Sequence, residues 1–419
     1  PGNRWDENAR AARGDTGPWR GFEHAINAVH VAAFRGRALS HYGRWLAEHH
    51  PEHLESFASL LGAEPGGDTG APETKHNAIP RPWYHTDWAA DRCIEWLDTM
   101  RDGDDWFCWL SFPDPHHPWD PPQSEMHRVD WRELDLPLGH PGDPDRTRQL
   151  LAGRPAHWLR WYDGAFQNIE GGPRGFSPGS LTHDQVREIN ARVHVMNELI
   201  DEAVGRVLDA VDARGWTADT DVIFTTDHGE LQGDLGLLYK GPYHIDALMR
   251  LPLVWRPAPS ASVAPADVSE PVGHVDLAPT FCAIAGIEPA PWMQGRALPT
   301  APGARSHERV LCEWDSQFPG HGMHLRSIYR DGWLCTAYEE STDGRPNGLE
   351  RVWGDGVLTP CGVHYDGGEG ELYRVDEDPH QWHNRWDDVA CRSVRSDLVT
   401  DLYDSLPAER RELSVDAPA

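Results

Sequence analysis

The stretch that most limits how this chain can fold runs from Asp221 to Trp255, DVIFTTDHGELQGDLGLLYKGPYHIDALMRLPLVW, where a short apolar run gives way at once to acidic, imidazole and amine groups. Val222, Ile223 and Phe224, closed by Thr225 and Thr226, read as a central strand of an α/β sheet, since a short apolar run fits a strand buried on both faces. Asp227 and His228 then fall at its carboxyl end. Loops leaving that end of a parallel sheet form the crevice where ligands bind. Gly229 lets the chain turn away beneath the two side chains.

An adjacent carboxylate and imidazole can hold one divalent metal, as hard oxygen donor and nitrogen donor. The competing reading is a turn with Asp227 as a helix N-cap. Lys240 tilts the balance toward chemistry. The chain holds only two lysines, Lys75 and Lys240, and fills its other basic positions with arginine. A lysine kept thirteen positions after Asp227 points to a need for a compact ammonium that a planar guanidinium does not meet.

These residues, Asp227-His228-Gly229-Glu230, Gly233-Asp234-Leu235-Gly236, Lys240 and Arg250-Leu251-Pro252-Leu253-Val254, together resemble the sulfatase family of the alkaline phosphatase superfamily. The resemblance implies that Asp227 and His228 are metal ligands and that Lys240 contacts the sulfate or phosphoryl oxygens. His228, where many members carry Asn, is like the phosphonate monoester hydrolase and phosphodiesterase relatives. The implied fold is α/β, a largely parallel mixed sheet flanked by helices, with a small C-terminal antiparallel subdomain. Residues 1–305 are expected to form the catalytic domain and 306–419 the subdomain.

Along the chain, residues 1 to about 34 read as an exposed loop reaching Gly21-Phe22, with His30 as a pocket candidate by the resemblance. Residues 35–62 carry helical spacing broken at Pro51, and a Gly, Pro and Thr-rich loop follows. Thr86 to Met100 predicts a helix with Asp87 in its first turn. Trp106 to Phe112, WFCWLSF, predicts a strand buried on both faces. It leads into Asp114-Pro115-His116-His117-Pro118, where a His stiffened by prolines can protonate or hydrogen-bond a leaving oxygen. In the family pattern His116 takes that place and His117 is structural. Residues 120–181 are expected to form a rim, with Trp158, Trp161 and Tyr162 either shaping substrate choice or packing. A long helix starts at Thr182 or Asp184 and ends at Gly215. His274 and Asp276 form a possible second metal pair, with capping the favoured role. From Ser306 onward, alternating runs predict a small antiparallel sheet, and a last helix covers roughly Cys391 to Leu406.

The family's nucleophile, a Cys or Ser matured to formylglycine within Cys/Ser-x-Pro/Ala-x-Arg, and the Asp-Asp pair that ends its first strand do not appear ahead of residue 83. Ser124-Glu125-Met126-His127-Arg128 and Cys391-Arg392-Ser393-Val394-Arg395 lack the Pro or Ala and lie in the wrong order. The expectation is that an upstream part carrying nucleophile and remaining ligands is missing from these residues. A degenerate, non-catalytic anion-binding relative is the competing account. The expected reaction is metal-dependent hydrolysis of sulfate esters, with a phosphonate monoester or phosphodiester as alternative. One divalent metal is expected, Ca²⁺ for a sulfatase or Mn²⁺ for the phosphorus esters. The expected substrate is a small-molecule or saccharide sulfate ester, and a homo-oligomer is compatible with the sequence.

The net charge of −29 argues against nucleic acid and anionic membranes as partners and suits a salt-rich cytoplasm. Seven scattered cysteines without a Cys-x-x-Cys pair indicate neither a disulfide framework nor a zinc site. No apolar run approaches the roughly 20 residues of a membrane-spanning helix.

Overall fold

The apolar stripe from Val186 to Val211 folds as a single helix, α6 (His183–Ala213), and the rest of the site-bearing part is arranged along it. The computed structural model describes residues 4–29, 33–34, 37–53, 66–74, 77, 79–166, 175–304, 307–315, 322–341 and 362–406. His30, Lys75 and Cys361 lie outside them. The start of α6 is fixed by a capping box: Thr182 Oγ1 accepts from Gln185 N at 3.2 Å while Gln185 Oε1 accepts from Thr182 N at 3.0 Å.

Ahead of α6, the amino-terminal segment differs from the expected loop. Arg4–Ala12 forms helix α1, its Ala, Arg and Glu being good helix formers, and it packs on α2 (Ser40–His49). Strands β1 (Ala33–Phe34) and β2 (Arg37–Ala38) form a minimal antiparallel pair. The predicted helix after Tyr84 is α3 (His85–Leu97), which packs along α6. Within 120–181 the chain folds into α4 (Pro144–Ala152) and α5 (His157–Tyr162). Trp158, Trp161 and Tyr162 are buried in the main hydrophobic core rather than lining a rim. A short helix with three large aromatic rings buries them most economically inward.

Strand β3 (Val222–Thr225) pairs antiparallel with β4 (Leu253–Arg256), joined through the short helix α7 (Asp246–Met249). Helix α8 (Leu277–Ile284) follows. The expected burial of β3 on both faces does not hold: Phe224 is 45% and Val254 62% exposed. Residues 106–112 are extended but belong to no strand ladder among the described residues. Their period-two alternation places Trp106, Cys108 and Leu110 inward and leaves Phe107 and Trp109 exposed. The architecture is α/β as expected, and the strand ladders of the described residues are antiparallel.

The carboxyl-terminal sheet forms where it was expected, with β6 to β8 buried along consecutive residues rather than on one face only. Strands β5 (Val310–Asp315), β6 (His324–Arg330), β7 (Trp333–Tyr338) and β8 (Gly370–Arg374) run antiparallel in sequence order. Helix α9 (Arg392–Ser405) covers one face through Leu398 and Leu402, against Ile328, Cys335 and Leu372. From the other face Leu325 and Tyr338 enter the main core with Trp158. No helix of the described residues is long and apolar enough to cross a membrane.

Candidate active site

The tip of β3 is shaped by contact with α7. A Cβ on Gly229 would lie 2.0 Å from the Ala247 carbonyl oxygen, so only glycine passes there, and Gly229 N donates to Leu248 O at 2.9 Å. Asp227 therefore projects outward, its side chain 84% exposed. Its Oδ1 accepts from the His228 amide at 3.0 Å. His228 Nδ1 donates to the Gly229 carbonyl oxygen at 2.8 Å, and Nε2 lies 3.6 Å from Asp227 Oδ2.

Glu230, part of the same turn, points the other way. Its carboxylate sits 3.5 Å from Lys240 Nζ, and its Oε1 is buried with no hydrogen-bond partner among the described residues. Burial pushes the Glu230 carboxyl up while Lys240 and His228 oppose the shift. Lys240 Nζ reaches His116 Nε2 at 3.2 Å across 124 residues of chain. His116 Nδ1 lies 2.5 Å from the His117 carbonyl oxygen, so Nδ1 bears the hydrogen and Nε2 accepts from the lysine.

The His116 loop is braced from α3. Asp114 accepts from Tyr84 Oη at 3.0 Å and from Thr86 Oγ1 at 2.6 Å, with His85 Nε2 at 3.4 Å. Burial pushes Asp114 up to about 7, against those two donors, and drives His85 down to about 3. His117 packs edge-on to Tyr239 at 4.9 Å, and Trp119 stacks on the same ring at 5.5 Å. The Tyr239 hydroxyl donates to Glu73 Oε2 at 3.0 Å, and burial pushes Glu73 up to about 7.

The structure thus brings His116 and Lys240 together and links them through Glu230 to the turn that carries Asp227 and His228. Sequence reasoning gave no role to Glu230, although it stood in the same four-residue motif. Glu73 had no signal at all, because it lies in a Gly and Pro-rich loop remote from every motif. Asp276 is fully buried and accepts from Gly273 N at 2.9 Å, Arg296 N at 2.9 Å and His307 Nε2 at 2.6 Å, a capping and bracing role, while His274 is exposed.

Among the described residues no group of three or more His, Cys, Asp and Glu side chains is placed to cage a metal. The pair at the β3 tip nevertheless offers the donor types that suit one, with His228 Nε2 and Asp227 Oδ2 3.6 Å apart.

The family model described as Sulfatase matches residues 66–287, more than half of the chain. The uncharacterized sulfatase YidJ of Escherichia coli is 26% identical over 323 residues, covering 77% of this chain and 55% of the relative. An N-acetylglucosamine-6-O-sulfatase of Bacteroides thetaiotaomicron is 25% identical over 316 residues, covering 65% and 55%. The chain thus spans about half the length of these curated relatives. The crystal structure of phosphonate monoester hydrolase from Agrobacterium radiobacter shares the fold, with a TM-score of 0.68 at 20% identity over 93% of this chain and 71% of that one. From the motif at the β3 tip, the meeting of Lys240 with His116 and the match over residues 66–287, the chain belongs to the sulfatase family.

Proposed function

We propose that this chain supplies the leaving-group and charge-balancing half of a metal-dependent sulfate ester hydrolase. Residues 1–305 would form the catalytic domain and 306–419 a carboxyl-terminal subdomain. The observation that carries the reading is the 3.2 Å approach of Lys240 Nζ to His116 Nε2, made by residues on separate loops and beside a buried Glu230. Lys240 is the charge that a sulfate oxygen would meet. Its partners Glu230 and His116 orient it, so its position is set before the ester arrives. His116, with Nδ1 committed to a carbonyl, presents Nε2 as the site that receives a proton from Lys240 and passes it to the departing alkoxide.

Asp227 and His228 would hold one divalent cation, Ca²⁺ for a sulfate ester or Mn²⁺ for a phosphorus ester, with further ligands from outside the described residues. When bound, that ion polarises the ester oxygens and stabilises the nucleophile. The nucleophile, expected as formylglycine, is proposed to come from polypeptide outside residues 1–419, because no Cys/Ser-x-Pro/Ala-x-Arg lies within them. A saccharide or small-molecule sulfate ester is the proposed substrate, in line with the name of the N-acetylglucosamine-6-O-sulfatase relative.

The test is to express the whole coding sequence that includes this chain and assay an aryl sulfate and an aryl phosphonate monoester side by side with added Ca²⁺ or Mn²⁺. Preferential sulfate ester turnover supports the proposal. Preferential phosphonate turnover replaces sulfate by a phosphorus ester, and no turnover of either by a product that carries formylglycine overturns it.

A further inference from the structure

Cys93 and Cys108 have no motif spacing, yet the fold brings their Sγ atoms to 3.7 Å. Cys93 is buried on α3 beside Leu97 and Val211, and Cys108 is half-buried on the extended segment that runs back along that helix. The two elements are fastened along their length. At one end Tyr84 and Thr86 bond to Asp114, and at the other Trp96 meets Trp106 edge-on with centroids 6.0 Å apart. The cysteine pair sits between these fastenings, within a small apolar cluster that also includes Val207 and Trp216. The contact splits the two thiols, raising Cys93 and lowering Cys108.

We propose that Cys93 and Cys108 are an oxidisable dithiol, which a low-molecular-weight disulfide of the glutathione class converts to an intramolecular disulfide tying α3 to the segment that leads into the His116 loop. Cys108, the less buried of the two residues, enters first. Its thiolate attacks the small disulfide, forming a mixed disulfide and releasing one equivalent of small thiolate, which takes up the proton that Cys108 gave up. Cys93 then loses its proton and attacks the Cys108 sulfur, releasing the second small thiol. Two protein thiols are oxidised and one small disulfide is reduced to two thiols. The product closes the turn between α3 and the segment covalently, and restricts the unfolded chain over the same residues.

The experiment uses the 419-residue chain itself and needs no catalytic activity, so its outcome is independent of the proposed function. The chain is incubated with glutathione disulfide at neutral pH, alkylated, and examined by intact mass and non-reducing peptide mapping. The expected result is an intact mass with two fewer alkyl groups than the reduced control and no glutathione adduct, a Cys93–Cys108 linked peptide, a raised Tm and reversal by excess reductant. Cys93→Ser is expected to stop at a stable glutathione adduct on Cys108. Recovery of both cysteines alkylated, a persistent adduct on wild-type Cys108 without the link, or linkage of either residue to another cysteine overturns the proposal.

Discussion

At the edge of the four-stranded sheet, the Glu371 carboxylate is shut away from solvent and meets donors from Arg154 at 3.0 Å, Trp158 at 3.2 Å, Tyr338 at 2.6 Å and Tyr373 at 2.6 Å. At the tip of β3, the Asp227 carboxylate stands in solvent, and beside it Glu230 keeps a buried oxygen without a partner among the described residues. The first arrangement gives each Glu371 oxygen two donors, as burial of a carboxylate requires. The second leaves acceptor capacity unspent, as a site prepared for a cation or a reacting group does. The surroundings differ in the same sense. The β5–β8 sheet is covered by α9 on one face and the main core on the other. Strands β3 and β4 instead show Phe224 and Val254 to solvent.

The sharpest way to break this contrast is Arg154→Ala. Arg154 and Glu371 have side chains with no solvent exposure, and removing one partner of a buried pair costs about 3–5 kcal/mol. Urea unfolding monitored by tryptophan fluorescence is expected to show that loss. A shift under about 1 kcal/mol would mean that the buried network tolerates an unpaired charge, contrary to the usual cost.

At the site the corresponding change is Lys240→Ala in the complete enzyme. Turnover is expected to fall by about 10²–10³-fold, the size of a lost preorganised donor. Turnover equal to wild type would remove Lys240 from the site.

The two regions also predict opposite pH responses. His244, buried and paired with Ser327 Oγ at 2.5 Å, is driven by burial down to about 4 from 6.5. The folded chain then binds fewer protons than the unfolded one between those values. Its contribution to stability is complete above about pH 6.5 and is lost as the pH falls toward 4. Glu73, raised from 4.5 to about 7, works the other way: its contribution is complete below about 4.5 and is lost as the pH rises through 7. Denaturation midpoints of His244→Asn and Glu73→Gln against wild type, taken across that range, are expected to diverge from it at acid and at alkaline pH respectively, by roughly 1–3 kcal/mol. Parallel profiles would contradict both assignments.

The smallest effect belongs to the shared scaffold. Thr182→Ala removes the α6 capping box and is expected to cost about 1 kcal/mol, read as a lowered unfolding midpoint, since α6 packs against both α3 and the main core.

Periodicity within single elements was legible from the residues. The stripe of α6, the short apolar runs of β5 to β8 and the capping box at Thr182 follow from local geometry that neighbouring side chains settle among themselves. Likewise Asp227, His228 and Lys240 announce themselves through one short stretch and the scarcity of lysine. The sequence determined, then, the helix type of α3, α6 and α9, the strands β3 and β5 to β8, and the α/β class. Tertiary structure decided what distance along the chain conceals. It placed Lys240 against His116 across 124 residues, put Glu73 under Tyr239, turned Trp158 and Trp161 inward and left Phe107, Trp109 and Phe224 exposed. The physical reason is that burial, and with it the shift of a carboxyl or the pairing of two thiols, depends on which surfaces meet, and no local run of residues carries that information.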